Sequence, residues 1–390
     1  MRIVDVNAFY APKGGGVRTY VQRKLKALPA MGHEIVILAP GARDETREVA
    51  PGAIIATIAA PSFPLDRRYR YFNDERALHR ALDIWAPDFV EASSPWSSAA
   101  MVGRWDGGAP RALIMHADPL SAYAYRWFGP FVPRTMIDRG FDRYWRHLRR
   151  LDASFDHVVS ASRDLATRLS AGGLRNVVTL PMGVEPDIFD PGLRDENLRR
   201  SLLADCGLAE DAALLLTVGR FSPEKRLPMV IEAAIAAGCD TPVGLIVVGE
   251  GRDRYAVQKA CAHSPHVQIL APVRERGALA RLMASADALI HGCEAETFCM
   301  VAAEARASGL PLIVPDCGGA SDQYQADRAM RYRATDTADL ARVIRRMAMR
   351  GLSHYHRNAV SAAASVRTMD THFSDLIALY AAGTEFRHAA

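Results

Sequence analysis

The chain has 390 residues, of which 49% are apolar and 24% are charged. This balance is typical of folded globular proteins and excludes a largely disordered chain, and the length is sufficient for two domains. The formal net charge is only +4, so we expect no nucleic-acid partner. No apolar run approaches the roughly 18 residues that a membrane-spanning helix needs.

The N-terminus, MRIVDVNAFYAP, has the pattern of a buried strand followed by a loop. It lacks a basic segment ahead of a long apolar run, so we expect no signal peptide and a cytoplasmic location. The six cysteines all lie in the second half without CxxC spacing, and the twelve histidines are scattered. This pattern favours buried, reduced thiols and predicts no metal site.

Short apolar runs alternate with amphipathic segments along the first half. We predict strands over 2–6, 34–39, 53–60, 88–92, 112–117 and 157–161, and helices over 17–31, 74–85, 96–104, 134–151 and 163–171. Strand–helix alternation favours a parallel sheet covered on both faces.

A break follows at PMGVEPDIFDP (181–191), where three prolines and a glycine cannot continue a helix or a central strand. We interpret it as a linker between domains 1–183 and 184–367. The pattern then restarts, with strands over 214–219, 244–249, 267–270, 288–292 and 311–316, and helices beginning near 226, 254, 275 and 299. This predicts a second doubly wound sheet, and we expect a C-terminal helix at about 368–390 to pack back on the first domain.

Ligands of open parallel sheets bind beyond the carboxyl ends of the strands, so two such domains could face a central cleft. At one such end, Gly14–Gly16 opens a helix, where backbone N–H groups can bind an anion. A plain tight turn is the alternative. The GxGxxG fingerprint of NAD enzymes is absent, which argues against a dehydrogenase.

Two charged loops follow strands of the second domain. Arg220 and Lys225 lie in GRFSPEK (219–225), a suitable pair for a diphosphate, and Lys225 is one of only five lysines beside 43 arginines. Glu296 and Glu304 frame ETFCMVAAE, in which Glu304 falls on a helix rich in Ala and Val. Since a buried carboxylate needs hydrogen-bond donors, sugar and ribose hydroxyls are suitable partners. A solvated loop and an arginine-paired glutamate are the alternatives.

His116, in the segment MHAD (115–118), follows a strand of the first domain. A lone histidine is more often structural than catalytic, but a strand terminus is where a cleft residue would lie.

Together these segments resemble the retaining glycosyltransferases of family 4, which have the GT-B fold of two Rossmann-like domains. The resemblance rests on GGGVRTY (14–20), MGVEPDIFDP (182–191), GRFSPEK (219–225) and HGCEAETFCMVAAEARASGLPLIV (291–314), and it covers nearly the whole chain.

The resemblance implies a role for each matching residue. Gly15, Gly16, Arg220 and Lys225 would hold the donor diphosphate, Glu296 the transferred sugar, and Glu304 the ribose; Phe298, Cys299, Met300 and Val301 would offer N–H groups to phosphate; Gly249 and Val273 would border the nucleotide, and His116 would lie near the reacting carbon. Cys299, Ala295 and Arg226 stand where the family commonly has glycine.

The resemblance also implies chemistry. We expect hexose transfer from a UDP-glucose-type donor or GDP-mannose to a hydroxyl, without a cofactor or metal. Residues 123–150 interleave arginines with aromatic residues, as does 67–72, so we expect a peripheral enzyme on anionic membrane that glycosylates a lipid or lipid-linked glycan. Rings packed in the first domain are the alternative. The competing functions are a non-hydrolysing sugar-nucleotide 2-epimerase and a non-catalytic nucleotide-sugar binding protein.

Overall fold

The strands of the chain form two sheets, one in each of two units. The computed structural model describes residues 1–10, 16–64, 69–129, 131–349 and 351–388, the last six of these by backbone only. Unit 1 comprises Met1–Pro119, Trp127–Pro181 and Met369–Ala390, and unit 2 comprises Leu120–Arg126 and Met182–Thr368. The sequence placed the division after residue 183 and the start of the C-terminal helix at about 368.

The first part of the chain supplies eight strands and seven helices among its described residues. The strands are β1 (Arg2–Asn7), β2 (Glu34–Gly41), β3 (Glu45–Ala50), β4 (Ala53–Ala59), β5 (Phe89–Ser93), β6 (Arg111–Met115), β7 (His157–Ser160) and β8 (Val177–Thr179). The helices are α1 (Gly16–Ala30), α2 (Glu75–Trp85), α3 (Ser97–Gly103), α4 (Tyr125–Phe128), α5 (Arg134–Gly140), α6 (Asp142–Asp152) and α7 (Arg163–Ala171), with a π-helical turn at Leu120–Ala124.

These strands form one sheet in the order β3-β4-β2-β1-β5-β6-β7-β8. Seven of them are parallel, as predicted, but β3 is antiparallel to β4. The sequence prediction missed β3 because its residues, ETREVA, are all exposed and carry three charges. It also missed the short strand β8.

The helix predicted over 134–151 is two helices. The first ends at Gly140 and the second begins at Asp142, with Phe141 between them in a non-helical conformation. Glycine is a weak helix former, so the chain bends there at small cost.

The second part of the chain supplies six strands and, with the C-terminal helix, eight helices among its described residues. The strands are β9 (Ala213–Val218), β10 (Val243–Val248), β11 (Val267–Leu270), β12 (Ala288–Ile290), β13 (Leu312–Pro315) and β14 (Ala329–Tyr332). The helices are α8 (Glu196–Asp205), α9 (Leu227–Gly238), α10 (Arg254–Cys261), α11 (Arg276–Ser285), α12 (Met300–Ala307), α13 (Thr337–Met349), α14 (Leu352–Ala362) and α15 (Met369–His388).

The sheet of unit 2 has the order β11-β10-β9-β12-β13-β14, with every pairing parallel. This is the doubly wound Rossmann order. Strands β9 to β11 are added toward one edge of the sheet, and β12 to β14 are added on the other side of β9. Burial explains the composition of the strands: all six residues of β10, VGLIVV, are buried, as expected where helices cover both faces. The ligand site of such a sheet lies at the carboxyl ends of β9 and β12, because the loops that leave these two strands run to opposite faces of the sheet.

The C-terminal helix α15 belongs to unit 1. Its Phe373, Leu376 and Tyr380 are buried, and the Tyr380 ring stacks on Phe89 of β5 with centroids 3.8 Å apart. None of the described helices is both long enough and apolar enough to cross a membrane.

Candidate functional site

The loop after β9 carries Arg220 and Lys225 and is anchored by a buried ring. Phe221 is fully buried, and its N–H donates to the carbonyl oxygen of Glu250 at 2.8 Å. The loop after β10 lies against it so closely that a Cβ at Gly249 would fall 2.0 Å from the carbonyl oxygen of Gly219. Only glycine permits this approach, so Gly249 supports the loop that carries the two cations.

Lys225 reaches across the switch point to the loop after β12. Its ammonium donates to the carboxylate of Glu296, and each side chain is only about one-fifth exposed. Buried His291, directly after β12, places Nε2 3.2 Å from the same carboxylate oxygen of Glu296. One carboxylate therefore lies against both a cation and an imidazole at the adjacent carboxyl ends of β9 and β12.

The charge states of this cluster follow from its contacts. Burial opposes ionisation of Glu296, but the Lys225 charge and the His291 hydrogen bond outweigh burial and lower its pKa. Burial likewise opposes the Lys225 charge, but Glu296 raises its pKa well above the usual value. Burial lowers the pKa of His291 despite Glu296 nearby. At neutral pH the cluster is thus an ammonium, a carboxylate and a neutral imidazole.

A second ion pair lies beside the first. Arg226 Nε donates to Glu294 Oε2 at 2.7 Å, and its Nη2 donates to the other carboxylate oxygen. Arg226 has a left-handed backbone, with φ of 49°. Left-handed conformations cost roughly 1–2 kcal/mol for residues with a Cβ, which explains why glycine suits this position in the family resembled. Here the bidentate pair with Glu294 offsets that cost by joining the two loops a second time.

The loop that carries Glu296 passes over two glycines. A Cβ at Gly318 would fall 2.3 Å from the Glu294 carbonyl oxygen, and one at Gly319 would fall 2.6 Å from the Phe298 nitrogen. The Gly319 N–H donates to the Glu296 carbonyl oxygen at 2.7 Å. Gly318 also has a left-handed φ of 74°. Neither glycine is among the residues predicted from the sequence, although the CGG segment after β13 is the signal of a close approach.

The helix α12 begins at Met300, four residues after Glu296. Its cap, Cys299, is buried and left-handed with φ of 72°. The first N–H groups of a helix have no partner within the helix, and the helix dipole adds partial positive charge, so this end suits an anion. The position of Cys299 again demands the conformation that glycine adopts most easily.

Glu304 lies in the second turn of α12, and only its partners make its burial possible. Arg276 Nη2 donates to Glu304 Oε1 at 2.7 Å, and Arg276 Nε lies 3.3 Å from Glu185 Oε2. The guanidinium also stacks on the Phe189 ring, 4.8 Å from its centroid. The arginine-paired alternative considered for Glu304 is therefore present, and Glu304 could bind a ribose only beside Arg276.

One group among the described residues has the spacing of a metal site: a nitrogen of His291, an oxygen of Glu296 and the sulfur of Cys299 lie within 4.8 Å of one another. The group fits a cation poorly. The Lys225 ammonium already binds the Glu296 carboxylate, and burial raises the pKa of the Cys299 thiol well above its usual value. A metal would have to displace both a cation and a proton.

In unit 1, His116 follows β6 next to Ser93 of β5. Its Nε2 lies 3.3 Å from Ser93 Oγ, and its ring meets the Tyr20 ring edge-on with centroids 5.0 Å apart. Burial lowers the pKa of His116 to about 4, so the imidazole is neutral at physiological pH. Gly16 begins α1, and a Cβ there would meet no atom within 4 Å. Gly15 and Arg67–Arg68 lie outside the described residues.

Comparison with known proteins decides the family. The model for group 1 glycosyl transferases matches residues 199–359, and that for glycosyltransferase family 4 matches residues 14–188. A GDP-mannose-dependent alpha-(1-6)-phosphatidylinositol dimannoside mannosyltransferase of Mycobacterium tuberculosis is 30% identical over 331 residues, which cover 84% of this chain and 82% of that protein. The chain belongs to the family 4 glycosyltransferases.

Other similar proteins agree with this assignment. A GDP-mannose-dependent alpha-mannosyltransferase of Mycobacterium tuberculosis is 30% identical over 327 residues, or 83% of this chain and 81% of that protein. Sucrose-phosphate synthase from Thermosynechococcus elongatus has a similar structure, with a TM-score of 0.74, 17% identity and full coverage of both chains. This likeness shows the GT-B fold. The chain is therefore a glycosyltransferase of GT-B fold.

As a family 4 glycosyltransferase, the chain has most of its candidate residues in unit 2, on the loops after four of its strands and in α12. Lys225 and Glu296 bond directly, and Phe298 to Val301 lie at the helix start beside them. Arg220 is exposed and lies 3.3 Å from Glu224. Val273 lies in the loop between β11 and α11. Their roles in binding remain predictions.

The sequence analysis missed the partners that hold these residues. His291 stands in the motif but was not selected, and neither Arg276 nor the pair of Arg226 with Glu294 was identified as a contact. Their positions in the sequence could have identified these residues. Each lies directly after a strand or within three residues of a residue that the sequence analysis named.

Proposed function

We propose that the chain transfers a mannosyl residue from GDP-mannose to a hydroxyl of a lipid-linked acceptor, with retention of anomeric configuration and without a metal. The observation that carries the proposal is the Lys225–Glu296–His291 cluster at the Rossmann switch point of unit 2. The name of the M. tuberculosis relative supports the donor and the class of acceptor.

The donor diphosphate gains negative charge as the sugar bond breaks. In this proposal Lys225 and the N-terminus of α12 stabilise that charge, and exposed Arg220 closes on the outer phosphate oxygens. Glu296 then has two tasks: it holds the Lys225 ammonium, and its second oxygen accepts from a sugar hydroxyl. A carboxylate engaged in this way serves binding better than nucleophilic attack, which favours retention through front-face substitution rather than a glycosyl-enzyme intermediate.

Donor identity has a direct test. Differential scanning calorimetry of the protein with GDP-mannose, UDP-glucose or GDP should show the largest rise of Tm for the two guanosine compounds. The reason is that a ligand stabilises the state that binds it. If Tm rose with UDP-glucose alone, the donor would be a UDP-sugar and not GDP-mannose.

Retention and metal independence are tested on the product. We expect an α-linked mannoside from the α-linked donor, read from the one-bond carbon–proton coupling at the new anomeric carbon, and undiminished rates in EDTA. A β-linked product, or loss of rate that Mg²⁺ or Mn²⁺ restores, would contradict the mechanism.

An exposed aromatic surface on unit 1 supports a lipid acceptor. Trp127, Phe128, Phe131 and Phe141 are exposed, with Phe131 83% accessible. Seven arginines and two aspartates lie between Arg126 and Arg150. Exposed rings beside arginines suit the headgroup region of an anionic bilayer.

Part of the aromatic region does not belong to this surface. Trp145 is buried, and its indole N–H donates to Asp138 Oδ1 at 3.2 Å. It packs in the core of unit 1, as the alternative reading of this region expected.

Vesicle co-sedimentation tests the surface. The wild-type chain should bind vesicles containing anionic lipid at low salt, and Phe131→Ser with Trp127→Ser should weaken binding. Trp145 is unsuitable for substitution in this test because it is buried. The matched control is Tyr255→Ser, which changes an exposed ring of unit 2. Equal binding by the double variant and the control would remove the lipid surface from the proposal and leave a soluble glycan as the acceptor.

Family membership favours transfer over the two competing functions. A 2-epimerase would convert the nucleotide sugar without an acceptor, and a binding protein would leave it intact. Following GDP-mannose by chromatography with and without lipid extract separates all three, since only a transferase releases GDP in proportion to glycosylated lipid.

A further inference from the structure

A buried polar network lies beneath His116 in unit 1, and the proposed transfer does not use it. Asp5 of β1 and Glu91 of β5 are direct partners in the parallel register, and both are fully buried. Lys24 of α1, also fully buried, donates to Asp5 Oδ2 at 3.1 Å and to Glu91. Two carboxylates side by side would repel each other strongly, so the ammonium between them is what makes the arrangement stable.

The network extends from Asp5 to the histidine through one hydroxyl. Ser93 Oγ lies 2.8 Å from Asp5 Oδ1 and 3.3 Å from His116 Nε2. Ser93 stands two residues after Glu91, on the same face of β5, so the strand itself brings the hydroxyl into line with the carboxylates. All the atoms of this hydrogen-bonded series, from Lys24 Nζ to the imidazole, lie within unit 1.

The direction of each hydrogen bond follows from the number of protons. A carboxylate that binds an ammonium only accepts, so the single Ser93 proton points to Asp5. The Ser93 oxygen can then only accept from His116, which requires the proton on Nε2. The shorter distance on the Asp5 side agrees with this direction, because hydrogen bonds to charged acceptors are the shorter ones.

We propose that Asp5 and Ser93 are positioning residues that hold His116 as the neutral Nε2–H tautomer. Nδ1 is then the only acceptor atom of the ring. From Nδ1 the ring can therefore accept a hydrogen bond but cannot donate one.

The groups around the ring are consistent with one fixed state. Tyr20 and Lys24 of α1, Asp5 of β1 and Ser93 of β5 surround His116, and His372 of α15 lies 3.1 Å from the Tyr20 hydroxyl. Asp5 raises the pKa of His116 and Lys24 lowers it, but burial is the largest effect and keeps the ring neutral. Burial thus leaves the ring uncharged, while Asp5 fixes its orientation through Ser93.

The tautomer is measured by long-range ¹⁵N–¹H spectra of histidine-labelled protein, with His116→Gln identifying the His116 signals. We expect a protonated, pyrrole-like Nε2 and an unprotonated, pyridine-like Nδ1. In Ser93→Ala both nitrogens should move toward averaged positions, and Ser93→Thr should restore them. A protonated Nδ1 in the wild type, or unchanged signals in Ser93→Ala, would overturn the proposal.

Ser160→Ala is the matched control. Ser160 is also fully buried at the carboxyl end of a strand of the same sheet, and its hydroxyl donates to the Ser162 carbonyl oxygen at 3.0 Å, away from His116. It should leave the His116 signals in place. If it moved them as Ser93→Ala does, loss of a buried hydroxyl, and not the link to Asp5, would be the cause.

Activity gives a second measurement, which rests on the proposed function. Ser93→Ala should lower kcat/KM about tenfold, the size of one lost orienting hydrogen bond, and should add no further loss in a His116→Gln background. An equal further loss there would show that Ser93 acts by another route. If the wild type transfers no sugar, the proposed function fails, while the spectra still decide the tautomer.

Discussion

The Lys225–Glu296 pair lends itself to a quantitative test in the absence of substrate. In Glu296→Gln the Lys225 ammonium would remain four-fifths buried without a counter-charge. Breaking a buried pair in this way costs roughly 3–5 kcal/mol, and because each side chain is about one-fifth exposed, we expect about 2–3 kcal/mol here. For a unit of this size, each kcal/mol lowers Tm by roughly 2–4 °C. The transition of unit 2 should therefore fall by about 4–12 °C.

The double variant separates pairing from general damage. Lys225→Met alone should cost less than Glu296→Gln alone, because Nε2 of His291 still lies 3.2 Å from the carboxylate. Together the two changes should cost about 1–2 kcal/mol less than their sum, since neither charge is then left unpaired. Additive effects would refute the account of the pair.

The assay must report on unit 2. All five tryptophans lie in unit 1, so their fluorescence follows that unit alone, and calorimetry is needed for the other. Asp240→Asn is the matched control: Asp240 and Arg345 pair at 2.6 Å, but their side chains are 61% and 38% exposed. Exposed pairs contribute about 0–1 kcal/mol, so Tm should move by no more than a few degrees. A shift equal to that of Glu296→Gln would contradict the role of burial.

Three further predictions concern backbone strain and pH. Cys299→Gly should keep or raise Tm, because glycine adopts φ of 72° freely, whereas Cys299→Val should lower it by several degrees. Gly318→Ala should destabilise unit 2 by more than about 2 kcal/mol and weaken GDP binding, since its Cβ would fall 2.3 Å from the Glu294 carbonyl oxygen. Because His116 has a pKa of about 4 when folded and about 6.5 when unfolded, unit 1 should lose up to about 3 kcal/mol as pH falls from 6.5 to 4, and tryptophan fluorescence of His116→Gln should show a shallower loss.

Hydrophobic pattern was enough to predict the sheets but not their edges. Runs such as VGLIVV can be read directly because a parallel strand covered on both faces is apolar throughout. The edge strand β3 has no such signal, since its residues are exposed and charged. The bend at Phe141 likewise depends on how α5 and α6 pack, which periodicity over 134–151 does not reveal.

The candidate site shows a similar limit. The sequence was enough to predict that Lys225 and Glu296 lie near each other. Both follow strands, and the topology of a parallel sheet brings the carboxyl ends of its strands to one edge. Their bond, and the second bond of Arg226 to Glu294, depend on side-chain reach across loops 68–71 residues apart in sequence. Positive φ at Cys299 and Arg226 explains why glycine suits two of the three positions where this chain departs from it, but only the backbone reveals this conformation.

In the proposed function, unit 2 holds GDP-mannose for transfer to a lipid. The most direct measurement is the rate at which radiolabelled mannose moves from GDP-mannose into chloroform–methanol extractable lipid, for the wild type and for Glu296→Gln assayed below its own Tm. The account predicts labelled lipid with the wild type, a loss of at least a hundredfold in the folded variant, and no label from UDP-glucose. Wild-type turnover by Glu296→Gln, or transfer from UDP-glucose in place of GDP-mannose, would contradict it.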